Sequence, residues 1–163
     1  MNSRLTRGLI VVGALLVLGS VNYSIYAKER IKREGEVVYL ELAPVDPRSL
    51  MQGDYMALQF AVADALRIRH AAADKVRFSG GYSAAMRVDD RRIAKLVEND
   101  AGGSVRIRYR VRKGQIWLGT NAYFFEEGAA QRFAGAHYGE FRVDRNSGEA
   151  VLVGLRGPNL ERL

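Results

Sequence analysis

The chain has 163 residues, with 25 Lys and Arg against 18 Asp and Glu for a formal net charge of +7, two histidines and no cysteine. The missing cysteines exclude a disulfide, a thiolate nucleophile, a zinc–thiolate site and a protein-held iron–sulfur cluster. With His70 and His137 as the only imidazoles, a multi-histidine catalytic metal site within one chain is excluded as well. The 48% apolar and 26% charged fractions suit a folded chain with one domain of ordinary size.

Residues 1–7 form a basic tail carrying Arg4 and Arg7, and residues 8–27, GLIVVGALLVLGSVNYSIYA, form a run of twenty without a charge. At a rise of about 1.5 Å per residue such a run spans about 30 Å, the hydrocarbon thickness of a bilayer, and it reads as one transmembrane helix. A cleaved signal peptide is the competing reading. Cleavage wants small residues at both −3 and −1. A cut after Ala27 places Ile25 at −3, and cuts after Ser24 or Ser20 place Asn22 or Leu18 there, so an uncleaved anchor is favoured. Tyr23 and Tyr26 fit an interfacial aromatic belt. Residues 28–35 are a charged juxtamembrane linker. A literal positive-inside count puts the C-terminal side in the cytoplasm, whereas a short basic tail followed at once by an apolar helix is the layout of a signal anchor with an exported domain. The layout is given the greater weight.

The first 35 residues carry +4 of the net charge and the remaining 128 only +3. The excess lies beside the membrane, where anionic headgroups attract each basic side chain by about 1 kcal/mol. Nucleic acid is therefore not an expected partner.

Residues 36–163 predict a mainly β domain, β-rich α+β, with an antiparallel sheet and one or two short helices. In residues 36–43, Val38, Leu40 and Leu42 share one face of a strand, and Val37, Tyr39 and Glu41 the other. Pro44 and Pro47 follow with fixed φ. A turn at Gly53 and Asp54 leads to a second strand, YMALQFAV, with Met56, Leu58, Phe60 and Val62 on its apolar face. The alanine-rich residues 63–74 predict a short helix. Residues 77–88 read as a strand or hairpin with Gly80 and Gly81 as a breaker, residues 92–99 as strand or loop, and residues 99–104 as a turn or loop. The clearest alternation is VRIRYRVR, where Val105, Ile107, Tyr109 and Val111 alternate with Arg106, Arg108, Arg110 and Arg112. Lys113 and Gly114 turn this strand into QIWLGTNAYFF, a partner strand that predicts a hairpin. Residues 126–136 predict a short helix carrying Phe133, and residues 137–156 a second hairpin turning at 145–148.

GDYMALQF, preceded by APVDPRSLMQ, resembles the signature of the GDYXXLXY family of bacterial membrane-anchored proteins. RIRYRVRKGQIWLGTNAYFFEEG and AHYGEFRVDRNSGEAVLVGLR resemble it in kind and order, so the likeness covers nearly the whole chain. One departure is Phe60, which stands where the motif has its final tyrosine, so a role needing that phenol is not expected. The resemblance implies a protein of the bacterial inner membrane, of uncharacterised activity and often encoded beside multi-spanning membrane proteins; the signal-anchor layout adds a single pass with the domain expected on the periplasmic side.

Gly53, Asp54, Tyr55, Leu58 and Phe60 are the motif residues. The simpler reading is a turn that sets strand register: Gly53 tolerates positive φ, Asp54 accepts backbone N–H groups, and Tyr55 and Leu58 lock the strand. The sharper reading is a recognition surface of Arg48, Asp54 and Tyr55. A third reading, Ser49 as a nucleophile with Lys75 or Lys95 as base, has no supporting motif around either lysine. The arginine stripe suits an anion, lipid headgroups or an acidic partner; the plainer expectation is a solvated face paired across the sheet with Glu140 or Glu149. Glu126, Glu127, His137 and Glu140 lack ligand spacing, and His70, beside Arg69, is expected to be exposed.

These readings lead to a tethered, non-enzymatic envelope module that binds the bilayer through its helix and recognises or stabilises a multi-spanning membrane protein, with no metal and no cofactor expected. A membrane-bound hydrolase using Ser49 or the Glu127, His137 and Glu140 group is the alternative. The sequence leaves the oligomeric state open.

Overall fold

The computed structural model describes residues 3–43, 51–52, 55–72, 80–97, 102–112 and 114–163. Helix α1 (Ser3–Glu34) takes in the whole uncharged run. Between Leu9 and Ile25 every large apolar side chain is at least 49% exposed, so no part of the domain covers them. The few polar side chains of this stretch turn back on the helix: the Ser20 and Ser24 hydroxyls donate to the carbonyls of Val17 and Ser20 at 2.8 and 2.9 Å, and the Asn22 amide to that of Leu18 at 2.8 Å. Polar groups satisfied within the helix are what a lipid environment requires. Among the described residues this is the one helix long and apolar enough to cross a membrane.

The helix does not stop at Ala27. It continues through the charged segment to Glu34, carrying the intrahelical pair Arg30–Glu34 at 3.0 Å. The environment changes along the way, because Ile31 is only 6% exposed. Gly35 closes the last turn by donating to the Ile31 carbonyl at 2.8 Å, and β1 (Glu36–Glu41) starts at the next residue. A Cβ at Gly35 would lie 2.5 Å from the Ile31 carbonyl oxygen and 3.0 Å from the Val143 backbone nitrogen, so only glycine lets the helix end sit this close to the sheet.

The expected β domain is observed, with its strands in three antiparallel groups. In the first, β9 (Tyr138–Val143) lies between β1 and β10 (Ala150–Arg156), so the C-terminal hairpin forms as expected and takes the first strand of the domain on its other edge. The second group is β2 (Met51–Gln52), β3 (Tyr55–Ala57) and β8 (Ala122–Phe124), in that order. The third is β5 (Ala94–Leu96), β4 (Gly80–Val88), β6 (Val105–Arg112) and β7 (Gln115–Trp117). Bridges at Tyr39–Ile93 and Leu42–Phe60 connect β1 to the chain beside the other two groups. A single buried cluster, including Leu40, Phe60, Leu66, Met86, Ile107 and Phe141, is shared by all three.

Several local expectations are corrected. The strand expected over YMALQFAV ends at Ala57, and α2 (Ala61–Ala72) begins where β geometry had been expected to continue. Met56, Leu58, Phe60 and Val62 are buried all the same, since the chain stays extended past Ala57 by new pairings: Leu58 donates to the Asn121 carbonyl at 2.7 Å and Ala43 to the Gln59 carbonyl at 2.8 Å. Gly80 and Gly81 do not break a strand but begin β4, paired with Val111 and Arg110. QIWLGTNAYFF is two strands rather than one. Gly119, with φ +73°, lets the chain leave β6 after β7 and cross to β3 as β8. The helix expected over residues 126–136 is the single turn α3 (Ala130–Phe133), with the Phe133 ring 5.2 Å from Tyr123 and 5.3 Å from Phe125.

Candidate functional site

On β6, burial alternates residue by residue: Val105, Ile107, Tyr109 and Val111 enter the core, and Arg106, Arg108, Arg110 and Arg112 face out. Side chains two apart on a strand are separated by roughly 7 Å, so the four guanidiniums stand in a row of like charge. The register decides what they meet. Across β4 the partners of Arg106, Arg108 and Arg110 are Ala85, Ser83 and Gly81, and across β7 those of Arg110 and Arg112 are Trp117 and Gln115. None of these is acidic. The expected cross-strand pairing with Glu140 or Glu149 is thereby corrected, because both carboxylates are taken by other elements. Buried Glu140 on β9 accepts from Arg156 Nε at 2.7 Å, and Glu149 is ion-paired to Lys28 of α1.

That second pair brings the stripe to the anchor. Lys28 is the first residue after the uncharged run, and it lines a cleft of about 330 Å³ together with Arg108, Arg110, Arg112, Trp117 and Glu149. The floor is open at Gly81, where a Cβ would meet nothing within 4 Å. The Arg112 guanidinium stands 6.0 Å from the Trp117 ring centroid, a cation–π distance. Lys28 and three arginines face a single carboxylate in this cleft, and Arg108, Arg110 and Arg112 have no ion pair among the described residues. Neither Lys28 nor Trp117 was singled out from the sequence. A signal for Trp117 existed, because a hairpin turning at 113–114 sets 112 opposite 115 and so Arg110 opposite Trp117.

The motif residues are divided. Leu58 and Phe60 are core, with the Phe60 ring edge-on to Phe141 at 5.2 Å. Tyr55 is half-buried and its ring lies 5.7 Å from that of Phe124, which is exposed. Gln52 and Tyr55 are paired antiparallel, while Gly53 and Asp54 lie outside the described residues, as do Arg48 and Ser49. Their proposed grouping with Tyr55 therefore stays an expectation. Glu126, Glu127 and His137 are on the surface, and no group of three or more His, Cys, Asp or Glu able to hold a metal occurs among the described residues.

His70 is the clearest reversal. Expected to be exposed, it is buried, with Nε2 2.7 Å from the Tyr109 hydroxyl oxygen and its ring edge-on to Tyr82 at 4.7 Å. Val62, Leu66 and His70 fall four residues apart on α2, one helical face, and all three are buried. That spacing was readable; the neighbouring Arg69 obscured it.

A second charged pair ties the first residue of β1 to the β9–β10 turn. The Glu36 carboxylate accepts from Arg145 Nε at 2.7 Å, which holds it below the usual carboxylate range and raises the guanidinium in turn. Asp144, at the start of the β9–β10 turn, accepts from the Ser147 N–H at 2.7 Å, the Ser147 hydroxyl at 3.0 Å and the Asn146 N–H at 3.0 Å, and these bonds lower its carboxyl.

Together these features define a β-rich domain built on one candidate membrane-spanning helix, with a basic cleft at their junction. The family model described as GDYXXLXY protein matches residues 17–155, most of the chain, from the middle of α1 to near the end of β10, and the chain belongs to this family. No curated protein and no solved structure matches it.

Proposed function

We propose that this protein is a non-enzymatic module of the bacterial inner membrane, anchored by α1 with its domain on the periplasmic side, that recognises or stabilises a multi-spanning membrane protein. The observation that carries this reading is the mounting of the domain. No flexible tether separates anchor from sheet: α1 runs unbroken to Glu34, buries Ile31, and passes through Gly35 directly into β1. The Arg142 guanidinium donates to the Gly35 carbonyl at 3.3 Å, Lys28–Glu149 ties α1 to the residue before β10, and Arg145–Glu36 holds the first residue of β1 to the β9–β10 turn. A domain held this way works within a short, fixed distance of the bilayer, which suits a partner embedded in the same membrane. A helix that continues into the fold past Ala27 also favours an uncleaved anchor over a signal peptide.

The contact surface is assigned to the outer side of the motif strands, where the exposed Phe124 ring lies against Tyr55. An exposed aromatic backed by a second ring is the kind of anchor that interfaces use. The test is affinity purification of the full chain in mild detergent, together with photo-cross-linking from position 124. A multi-spanning membrane protein is expected to co-purify and cross-link with wild type and to be lost with Phe124→Asp while the thermal midpoint is kept. Failure to recover one, or recovery that Phe124→Asp leaves unchanged, would sink the reading. Because the chain lacks cysteine, single thiols introduced at Asn2 and Asn159 report topology without background, and only the latter is expected to react with a membrane-impermeant maleimide applied from the periplasm.

A further inference from the structure

We infer that the cleft lined by Lys28, Arg108, Arg110, Arg112 and Trp117 is a binding site for the phosphate group of an anionic membrane lipid. The inference needs only the anchoring helix and is independent of any protein partner.

Placement is the first argument. Lys28 follows the last residue of the uncharged run, so its Cα lies about 1.5 Å further along the helix axis than Ala27. In a helix the Cα–Cβ bonds tilt toward the N-terminus, and here that direction is the bilayer. The Lys28 ammonium is ion-paired to Glu149, and both line the cleft. The cleft thus opens within about one side-chain length of the membrane surface.

Chemistry is the second. Arg108, Arg110 and Arg112 stand in a row whose strand neighbours are Ser83, Gly81, Trp117 and Gln115, none of them acidic. Like charges this close repel unless an anion stands between them, and guanidinium forks match phosphate oxygens in bidentate geometry. Glu149 is already held by Lys28 and does not neutralise the row. Trp117 adds an amphipathic ring of the kind that prefers the interface, and Gly81 leaves the cleft floor clear for a headgroup. A solvated strand face would have no reason to line up with the first residue outside the membrane; a lipid-phosphate site would.

Trp117 is the only tryptophan in the chain, so its emission reports on this cleft alone. The full-length protein is reconstituted in phosphatidylcholine nanodiscs containing a fixed fraction of either phosphatidylglycerol or phosphatidylcholine that carries a nitroxide near its headgroup. Quenching of Trp117 is expected to be several-fold greater with the labelled phosphatidylglycerol. The double variant Arg108→Gln/Arg110→Gln should remove this several-fold preference, because each basic side chain lost near a charged surface gives up a comparable share of the attraction to the anionic lipid. Ser83→Glu, which leaves every arginine in place but sets a carboxylate directly opposite Arg108, should abolish the preference as well, with thermal midpoints confirming that both variants fold. Equal quenching by the two lipids, or a preference that survives both variants, would overturn the inference. Loss of the preference on adding millimolar inorganic phosphate at constant ionic strength would overturn it in favour of a site for free phosphate. Phe124→Asp should leave the quenching unchanged, so failure of this inference and failure of the partner reading are separable.

Discussion

The identity of a buried side chain can depend on a single helical spacing. His70 lies one turn beyond Leu66 and two beyond Val62, so the helix that buries those two carries the imidazole inward too, against Tyr82 and Tyr109. Tyr109→Phe keeps the ring and removes the hydroxyl 2.7 Å from His70 Nε2; the expected loss is about 1–3 kcal/mol, read from denaturant unfolding. Surface carboxylates act differently. Glu36 and Asp144 are both held below the ordinary carboxylate range, the first by Arg145 and the second by the Ser147 backbone N–H and hydroxyl. A depressed carboxyl stabilises the folded state above its unfolded pKa, and that contribution is lost as pH falls through the folded value. The thermal midpoint is therefore expected to fall from about pH 5 downward, and Glu36→Gln to flatten that slope slightly, since both groups are only partly buried. A midpoint that rises on acidification would contradict the assignment.

At the scale of elements, two glycines carry the connections that local pattern does not reveal. Gly119 combines φ +73° with a position where a Cβ would come 2.9 Å from the Ala150 carbonyl oxygen. Gly119→Ala should cost about 1–3 kcal/mol through backbone strain and collision, measured as a shift in the chemical unfolding midpoint. Gly35→Val should force the end of α1 away from β9 and expose the junction to limited proteolysis near Glu34, which wild type resists. Much of this level was legible in advance. The alternation in VRIRYRVR gave both faces of β6, and the two-residue turn after Arg112 implied the register that puts Trp117 beside Arg110. What could not be read was the change of partner. Residues 115–125 have the composition of one strand, and nothing local says that β7 stays with β6 while β8 joins β3, because that choice depends on residues far away in sequence. The same holds for YMALQFAV, whose alternating burial is real although its strand ends after three residues.

For the whole molecule, the excess of positive charge beside the membrane has acquired a structural setting. The basic segment after the apolar run is not a loose linker but the last turns of α1, and the domain's own arginine row converges on it at Lys28. Neither half of that cleft is informative alone: Lys28 reads as one of several juxtamembrane charges and the arginines as a solvated face, and only the tertiary fold brings them together. The central claim is that anchor and domain form one rigid body, which fixes the cleft and the motif strands relative to the bilayer. Its most direct test is a pulsed electron–electron distance measurement in nanodiscs, with nitroxides on cysteines introduced at Ser24 in α1 and Ser83 in β4 of this cysteine-free chain. A single narrow distance distribution in wild type, broadened by Gly35→Val, is the predicted result; a broad distribution in wild type would contradict the account.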